Sequence, residues 1–230
     1  MTKHIGIVGC SAEGASLCYR TICTEASEQL GPHAHPEITM HTPSLASYTT
    51  CLDQGDLAGV AALMNRSAEI LAGAGADFLI CPDNTIHQAL DRVLPTSRLP
   101  WLHIAEMVAE HANNRGFRRL ALLGTQWLVD SDVYPNALGA RGVACVRPTE
   151  EEKQRVHAII MNELVPGIFK PSSTEQICQI IARMRAEGCN AVILGCTELP
   201  LVLSDENSPL PTLDSTRLLA RAAIERAIEE

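Results

Sequence analysis

Two short polar segments carry the residue types best suited to proton transfer. Asp83-Asn84-Thr85 puts a carboxylate beside an amide and a hydroxyl, and Cys196-Thr197-Glu198 puts a thiol beside a hydroxyl and a second carboxylate. One acid–base group on each face of a carbon can remove a proton from one side and return one to the other. Asn84, Thr85 and Thr197 add neutral donors that, with the backbone N–H groups of a following helix, can cradle a carboxylate. Cys196 follows the apolar run 191–194 and Gly195, so it is expected at a strand end just before a helix, where the helix dipole favours thiolate. The plainer reading of each triplet is a helix cap, since Asp, Asn and Thr are good N-cap residues. A cap explains either one alone; two at the same point of a repeat favour a shared ligand.

Those points are set by alternating apolar and amphipathic stretches. Short β-rich runs fall at 4–8, 38–41, 77–81, 101–103, 120–123, 144–147, 191–194 and 210–212. Helical periodicity occupies 12–30, 57–74, 86–93, 104–115, 153–164 and 173–187, with a last helix over 215–230. Strand–helix alternation of this kind predicts an α/β protein with mostly parallel sheets flanked by helices. The halves echo one another. Ile5-Gly6-Ile7-Val8-Gly9-Cys10 corresponds to Leu120-Ala121-Leu122-Leu123-Gly124-Thr125, and 76–85 corresponds to 190–198. We therefore expect two pseudo-symmetric domains, 1–115 plus 214–230 and 116–213. Ligands of open α/β sheets bind beyond the carboxyl ends of the strands. Four echoed turns lie at such ends, so the expected site is a cleft between the domains with Asp83 and Cys196 on opposite walls. Ser11 and Thr125, in the first turn of each half, are expected to offer hydroxyls or backbone N–H groups to the ligand.

Several other chemistries are excluded or left without support. The net charge of −9 over 230 residues repels nucleic acid and anionic membranes. No apolar run approaches the ~20 residues that span a bilayer, and the N-terminus lacks a secretory pattern, so cytoplasm is the expected compartment. The nine cysteines show no CxxC spacing, and no histidine has an HxxxH or HExxH partner, so no metal is expected. Neither GxGxxG nor GxxxxGK[ST] occurs, which leaves nucleotide binding unsupported. His87 and His103 read as hydrogen-bonded structural histidines. Glu198 either holds the thiol or faces solvent in a first helical turn.

Ile80-Cys81-Pro82-Asp83-Asn84-Thr85-Ile86-His87 resembles the Cys-Asn-Thr-x-His segment of the cofactor-independent aspartate/glutamate racemases, and Gly195-Cys196-Thr197-Glu198 is similar to their Gly-Cys-Thr-Glu segment. Both glycine turns match too, in the same order along nearly the whole chain. The resemblance implies two pseudo-symmetric domains, no cofactor, a homodimer, and two-base racemisation of a small acidic amino acid. It carries over to Asn84, Thr85, Thr125, Cys196 and Thr197, and more loosely to Arg155 as a partner of the distal carboxylate; a solvated helix-face arginine is the competing reading. One departure stands out: the first catalytic cysteine of the family corresponds to Asp83. Cys81 lies on the same face of the strand but roughly 6–7 Å further back. An Asp83–Cys196 pair is expected to be unequal in its two directions. The missing cysteine also keeps open a decarboxylase or cis–trans isomerase acting on a small dicarboxylic acid through Cys196, and a non-catalytic small-acid-binding protein.

Overall fold

The computed structural model describes residues 2–229. The chain groups into two compact units, Met1–Met107 with Thr216–Glu230, and Val108–Ser215. Each unit carries one four-stranded parallel sheet with helices packed on it, the α/β class that the alternating pattern predicts.

In the first unit the strands are β1 (Ile5–Val8), β2 (Ile38–His41), β3 (Phe78–Ile80) and β4 (Trp101–Leu102). Their order is β2-β1-β3-β4, all neighbours are parallel, and Ile7 lies opposite Ile80. Side chains alternate across the sheet as the pleat requires. Ile5, Ile7, Phe78 and Ile80 enter a core with Cys18 and Ile22 of the helix Ala12–Glu25 and with Leu219 and Ile224 of the helix Ser215–Ile228. Val8 and Leu79 point the other way, onto Val60, Met64 and Leu71 of the helix Leu57–Gly73. Burial on both faces is why these strands read as unbroken apolar runs. Each buried aliphatic side chain contributes about 1.5–3 kcal/mol, so a polar substitution on either face works against the sheet.

The second unit repeats the plan with β5 (Arg119–Leu123), β6 (Ala144–Val146), β7 (Ala191–Leu194) and β8 (Thr212–Asp214). The order is β6-β5-β7-β8, again all parallel, with Leu123 opposite Leu194. Ala121, Leu123, Val192 and Leu194 pack on Val156 and Ile159 of the helix Glu150–Ile159 and on Ile177, Ile181 and Met184 of the helix Pro171–Ala186. The first and third strands of each half are therefore central neighbours in both sheets, and both triplets follow a third strand.

Three expectations need correction. The last strand is Thr212–Asp214 rather than 210–212. Pro211 has no N–H to donate, although its carbonyl accepts the Val192 N–H at 2.9 Å, so Pro211 can only precede the ladder. The helix expected from 153 begins at Glu150, because Thr149 and Glu152 form a reciprocal capping box. Neither triplet opens an α-helix. Thr85–Ala89 and Leu199–Leu201 are 3-10 segments, the first followed by a single α-turn, Leu90–Val93. A three-residue turn aligns too few peptide dipoles to act as the helix terminus expected beside Cys196.

Candidate active site

The first triplet hangs from the end of β3. Asp83 is half-buried, whereas Asn84 and Thr85 are 2% and 8% exposed. The Asp83 carboxylate accepts the Ile86 N–H at 3.3 Å, so it caps the 3-10 segment. His87, on that segment, donates from Nδ1 to the Asp83 carbonyl at 2.7 Å, and its Nε2 faces the Ile104 N–H at 3.4 Å. An N–H can only donate and a carbonyl can only accept, so the contacts select the neutral Nδ1–H tautomer. Burial, with His103 edge-on at 4.8 Å, pushes the His87 pKa down to about 3. The His103 Nδ1 in turn accepts the Ala105 N–H at 3.2 Å at the start of the helix Ile104–Asn114. Both histidines have structural hydrogen bonds.

Cys81 lies behind the turn, with its thiol 3.9 Å from the Asp83 carbonyl. Its side chain is fully buried in the core with Val8, Tyr48 and Leu79. Burial, reinforced by the neighbouring Asp83 charge, pushes its thiol well above the ordinary range.

The second triplet follows β7 through Gly195. A Cβ on Gly195 would lie 2.7 Å from the Leu123 carbonyl oxygen, and one on Gly124 would lie 3.2 Å from the Gly195 carbonyl oxygen. Both positions need glycine because the backbones after β5 and β7 meet there, joined by the Gly195 N–H to the Leu123 carbonyl at 2.8 Å. Cys196 is 9% exposed and donates from Sγ to Glu198 Oε2 at 2.8 Å. Thr197 donates from Oγ1 to the same oxygen at 2.8 Å. Glu198 is 3% exposed, so of the two roles open to it, it takes the thiol-holding one.

Ser11 lies three residues after β1 and Thr125 two residues after β5, and both are buried. The Ser11 Oγ accepts the Gly14 N–H at 3.2 Å, and the Thr125 Oγ1 accepts the Leu128 N–H at 3.3 Å at the start of the helix Gln126–Val129. Both hydroxyls are thus N-caps. The turn after Thr125 is also fastened from the side, since His157 Nδ1 accepts the Gln126 N–H at 3.3 Å. Nothing in the sequence spacing marks His157 for that role.

Arg155 is exposed on the helix Glu150–Ile159, with Nη2 2.7 Å from Glu151 Oε1 one turn earlier. That is the solvated ion pair that an i,i+4 spacing produces. The buried cation of this helix is Lys153, held by Asp130 at 2.6 Å and Glu150 at 2.7 Å. Among the described residues, no cluster of three or more His, Cys, Asp or Glu side chains could hold a metal, and no helix is long and apolar enough to cross a membrane.

The family model Asp/Glu/Hydantoin racemase matches residues 5–223. A solved structure of a candidate Asp/Glu racemase from Yersinia pestis superposes with a TM-score of 0.90 at 28% identity, covering 99% of this chain and 100% of that one. An aspartate racemase homologue from Pyrococcus horikoshii gives 0.85 at 31% identity, covering 99% and 100%. The broad specificity amino-acid racemase RacX of Bacillus subtilis is 24% identical over 157 residues, 67% of this chain and 66% of that protein.

Proposed function

We propose, for a chain that belongs to the Asp/Glu/Hydantoin racemase family, that it racemises an acidic amino acid, aspartate or glutamate, without a cofactor. Asp83 and Cys196 are the two acid–base groups, one acting on each face of Cα. The domain 1–115 plus 214–230 contributes Asp83, and the domain 116–213 contributes Cys196. The observation that carries this reading is the matched station of the two groups. Each follows the third strand of its half, in sheets of identical strand order.

The local geometry suits opposite starting states. A carboxylate that accepts a backbone N–H is ready to take the α-proton, and a thiol that donates to Glu198 is ready to give one. In the forward step the Cα–H bond breaks, its proton passes to Asp83, and the carbanion takes the Cys196 proton on its other face. The enzyme is left with protonated Asp83 and the Cys196 thiolate, the pair that acts on the opposite enantiomer. Asn84, Thr85, Ser11 and Thr125 provide neutral donors for the α-carboxylate, and Thr197, whose hydroxyl donates to Glu198, contributes through its backbone N–H. Glu198 orients the thiol, and the proposal gives Arg155 no role because its guanidinium is engaged with Glu151. The equilibrium constant between enantiomers is one, so an unequal pair shows itself in kcat and KM separately, never in the equilibrium.

The test is α-proton exchange in D₂O, followed by NMR, with the L and D forms of aspartate and glutamate. Exchange with inversion is the expected result. The panel extends to neutral amino acids, because the relative RacX is named for broad specificity. Absence of exchange in every amino acid, with CO₂ released from a malonate-type acid or a cis dicarboxylate isomerised, would replace racemisation with the lyase or isomerase reading that Asp83 keeps open. The proposal includes a cytosolic homodimer, which light scattering on the purified protein checks.

A further inference from the structure

We infer that His87 is a positioning residue for Asp83: it takes over the turn carbonyl so that the carboxylate is held by the backbone in a single orientation. The inference rests on the reading of Asp83 as an acid–base group and goes beyond it, since His87 touches no reacting atom.

In a 3-10 turn opening at Asp83, the Ile86 N–H would go to the Asp83 carbonyl, the i to i+3 bond. Here that N–H goes to the Asp83 carboxylate at 3.3 Å, and the carbonyl is taken by His87 Nδ1–H at 2.7 Å. The regular backbone bond recurs only one residue later, from the His87 N–H to the Asn84 carbonyl at 3.3 Å. The Cys81 thiol also faces that carbonyl at 3.9 Å, a long contact from a weak donor, so loss of His87 leaves the carbonyl poorly satisfied, at a cost of up to about 1–3 kcal/mol. Without His87 the favourable rearrangement is for Ile86 N–H to return to the carbonyl, which strips the carboxylate of that donor.

A second feature separates this role from simple space filling. His87 is 3% exposed, and burying an imidazole is costly unless its nitrogens are satisfied. A leucine would fill similar space at no such cost, so the ring's polar atoms are what this position uses. They tie the Asp83 turn to the Ile104 N–H at the start of the helix after β4. With both nitrogens engaged and the ring neutral, His87 is poorly placed to shuttle protons itself. Its effect reaches the substrate only through where Asp83 sits.

The experiment compares His87→Leu, His87→Asn and His87→Gln with wild type and Asp83→Asn, using L- and D-aspartate and glutamate with ordinary or α-deuterated carbon. Displacing a reacting group by about 1 Å can cost about 100-fold. His87→Leu is therefore expected to lower kcat about 30–100-fold with KM changed less than about threefold. His87→Asn, whose amide N–H can stand near Nδ1, should recover to within about fivefold of wild type. His87→Gln, which carries its amide one carbon too far, should resemble leucine and serves if the leucine variant does not fold. The deuterium effect on kcat should rise for one enantiomer only, the one whose α-hydrogen faces Asp83. Equal losses in the asparagine and glutamine variants, or a deuterium effect raised alike for both enantiomers, would reduce His87 to general packing. Full racemisation by Asp83→Asn would instead overturn the parent reading. An inactive Asp83→Asn beside an unaffected His87→Leu would overturn this inference alone.

Discussion

The turn after β3 and the turn after β7 occupy equivalent stations, yet they are fastened by opposite means. In the first, the ionisable group accepts: the Asp83 carboxylate takes a backbone N–H, and a neutral imidazole clamps the carbonyl behind it. In the second, the ionisable group donates: the Cys196 thiol gives its hydrogen to a buried carboxylate in its own triplet. The strand register of the two sheets is conserved between halves, and the polarity of the contacts is reversed. A repeat can therefore keep its geometry while its halves diverge into one hydrogen-bond acceptor and one hydrogen-bond donor, because backbone topology sets where a group sits and local partners set which way its hydrogen bond runs.

The comparison can be broken most severely at the thiol. Cys196→Ala removes the group that returns a proton on its face in the proposed mechanism, and general acid–base groups are worth about 10²–10⁴ in rate. We expect inversion to fall at least about 1000-fold in NMR exchange assays, with the fold intact by circular dichroism. Substantial inversion in this variant would remove the second turn from the chemistry altogether.

A smaller effect is expected at the fastening of that thiol. Glu198→Gln preserves shape but replaces a charge-assisted acceptor, a bond worth about 1.5–3 kcal/mol to a charged group. Kinetic constants measured for both enantiomers should show kcat lowered about 10–50-fold with little change in KM. Iodoacetamide should alkylate Cys196 faster in the variant at neutral pH, because the sulfur no longer faces an anion. Unchanged alkylation would mean that Glu198 only caps the turn.

The smallest effect concerns stability in acid and belongs to the first turn. His87 binds a proton near 6.5 when unfolded and only near 3 when folded. Between those values the unfolded chain holds more protons, so stability drops as pH falls from about 6.5 towards 3 and is insensitive to this group above 6.5. His103 shifts in the same direction through burial. Urea midpoints at pH 7, 5.5 and 4.5 should fall more steeply for wild type than for His87→Asn. Parallel slopes would show that the imidazole is not held neutral.

The sequence by itself determined the α/β class, the two halves and the rank of each triplet. The periodicity of apolar residues and the glycine turns are local signals, and a parallel sheet buried on both faces writes them plainly. Gly195 before Cys196 was legible for the same reason, since a close backbone approach admits no side chain. Only the tertiary structure decided which partner each polar atom takes. Glu198 turned inward onto Cys196 and Thr197 because burial left those groups few alternatives, while Arg155 stayed in water with Glu151. Cys81 lies behind Asp83 as the strand spacing implies, with its thiol 3.9 Å from the Asp83 carbonyl, but only the fold shows that it is sealed in the core beside Val8 and Leu79. His87 could be read as structural from sequence, but its bond to the Asp83 carbonyl depends on a 3-10 turn and on the start of a helix 17 residues later. Hydrogen-bond choice is a short-range, directional competition among atoms brought together by the fold, and that competition is absent from residue spacing alone.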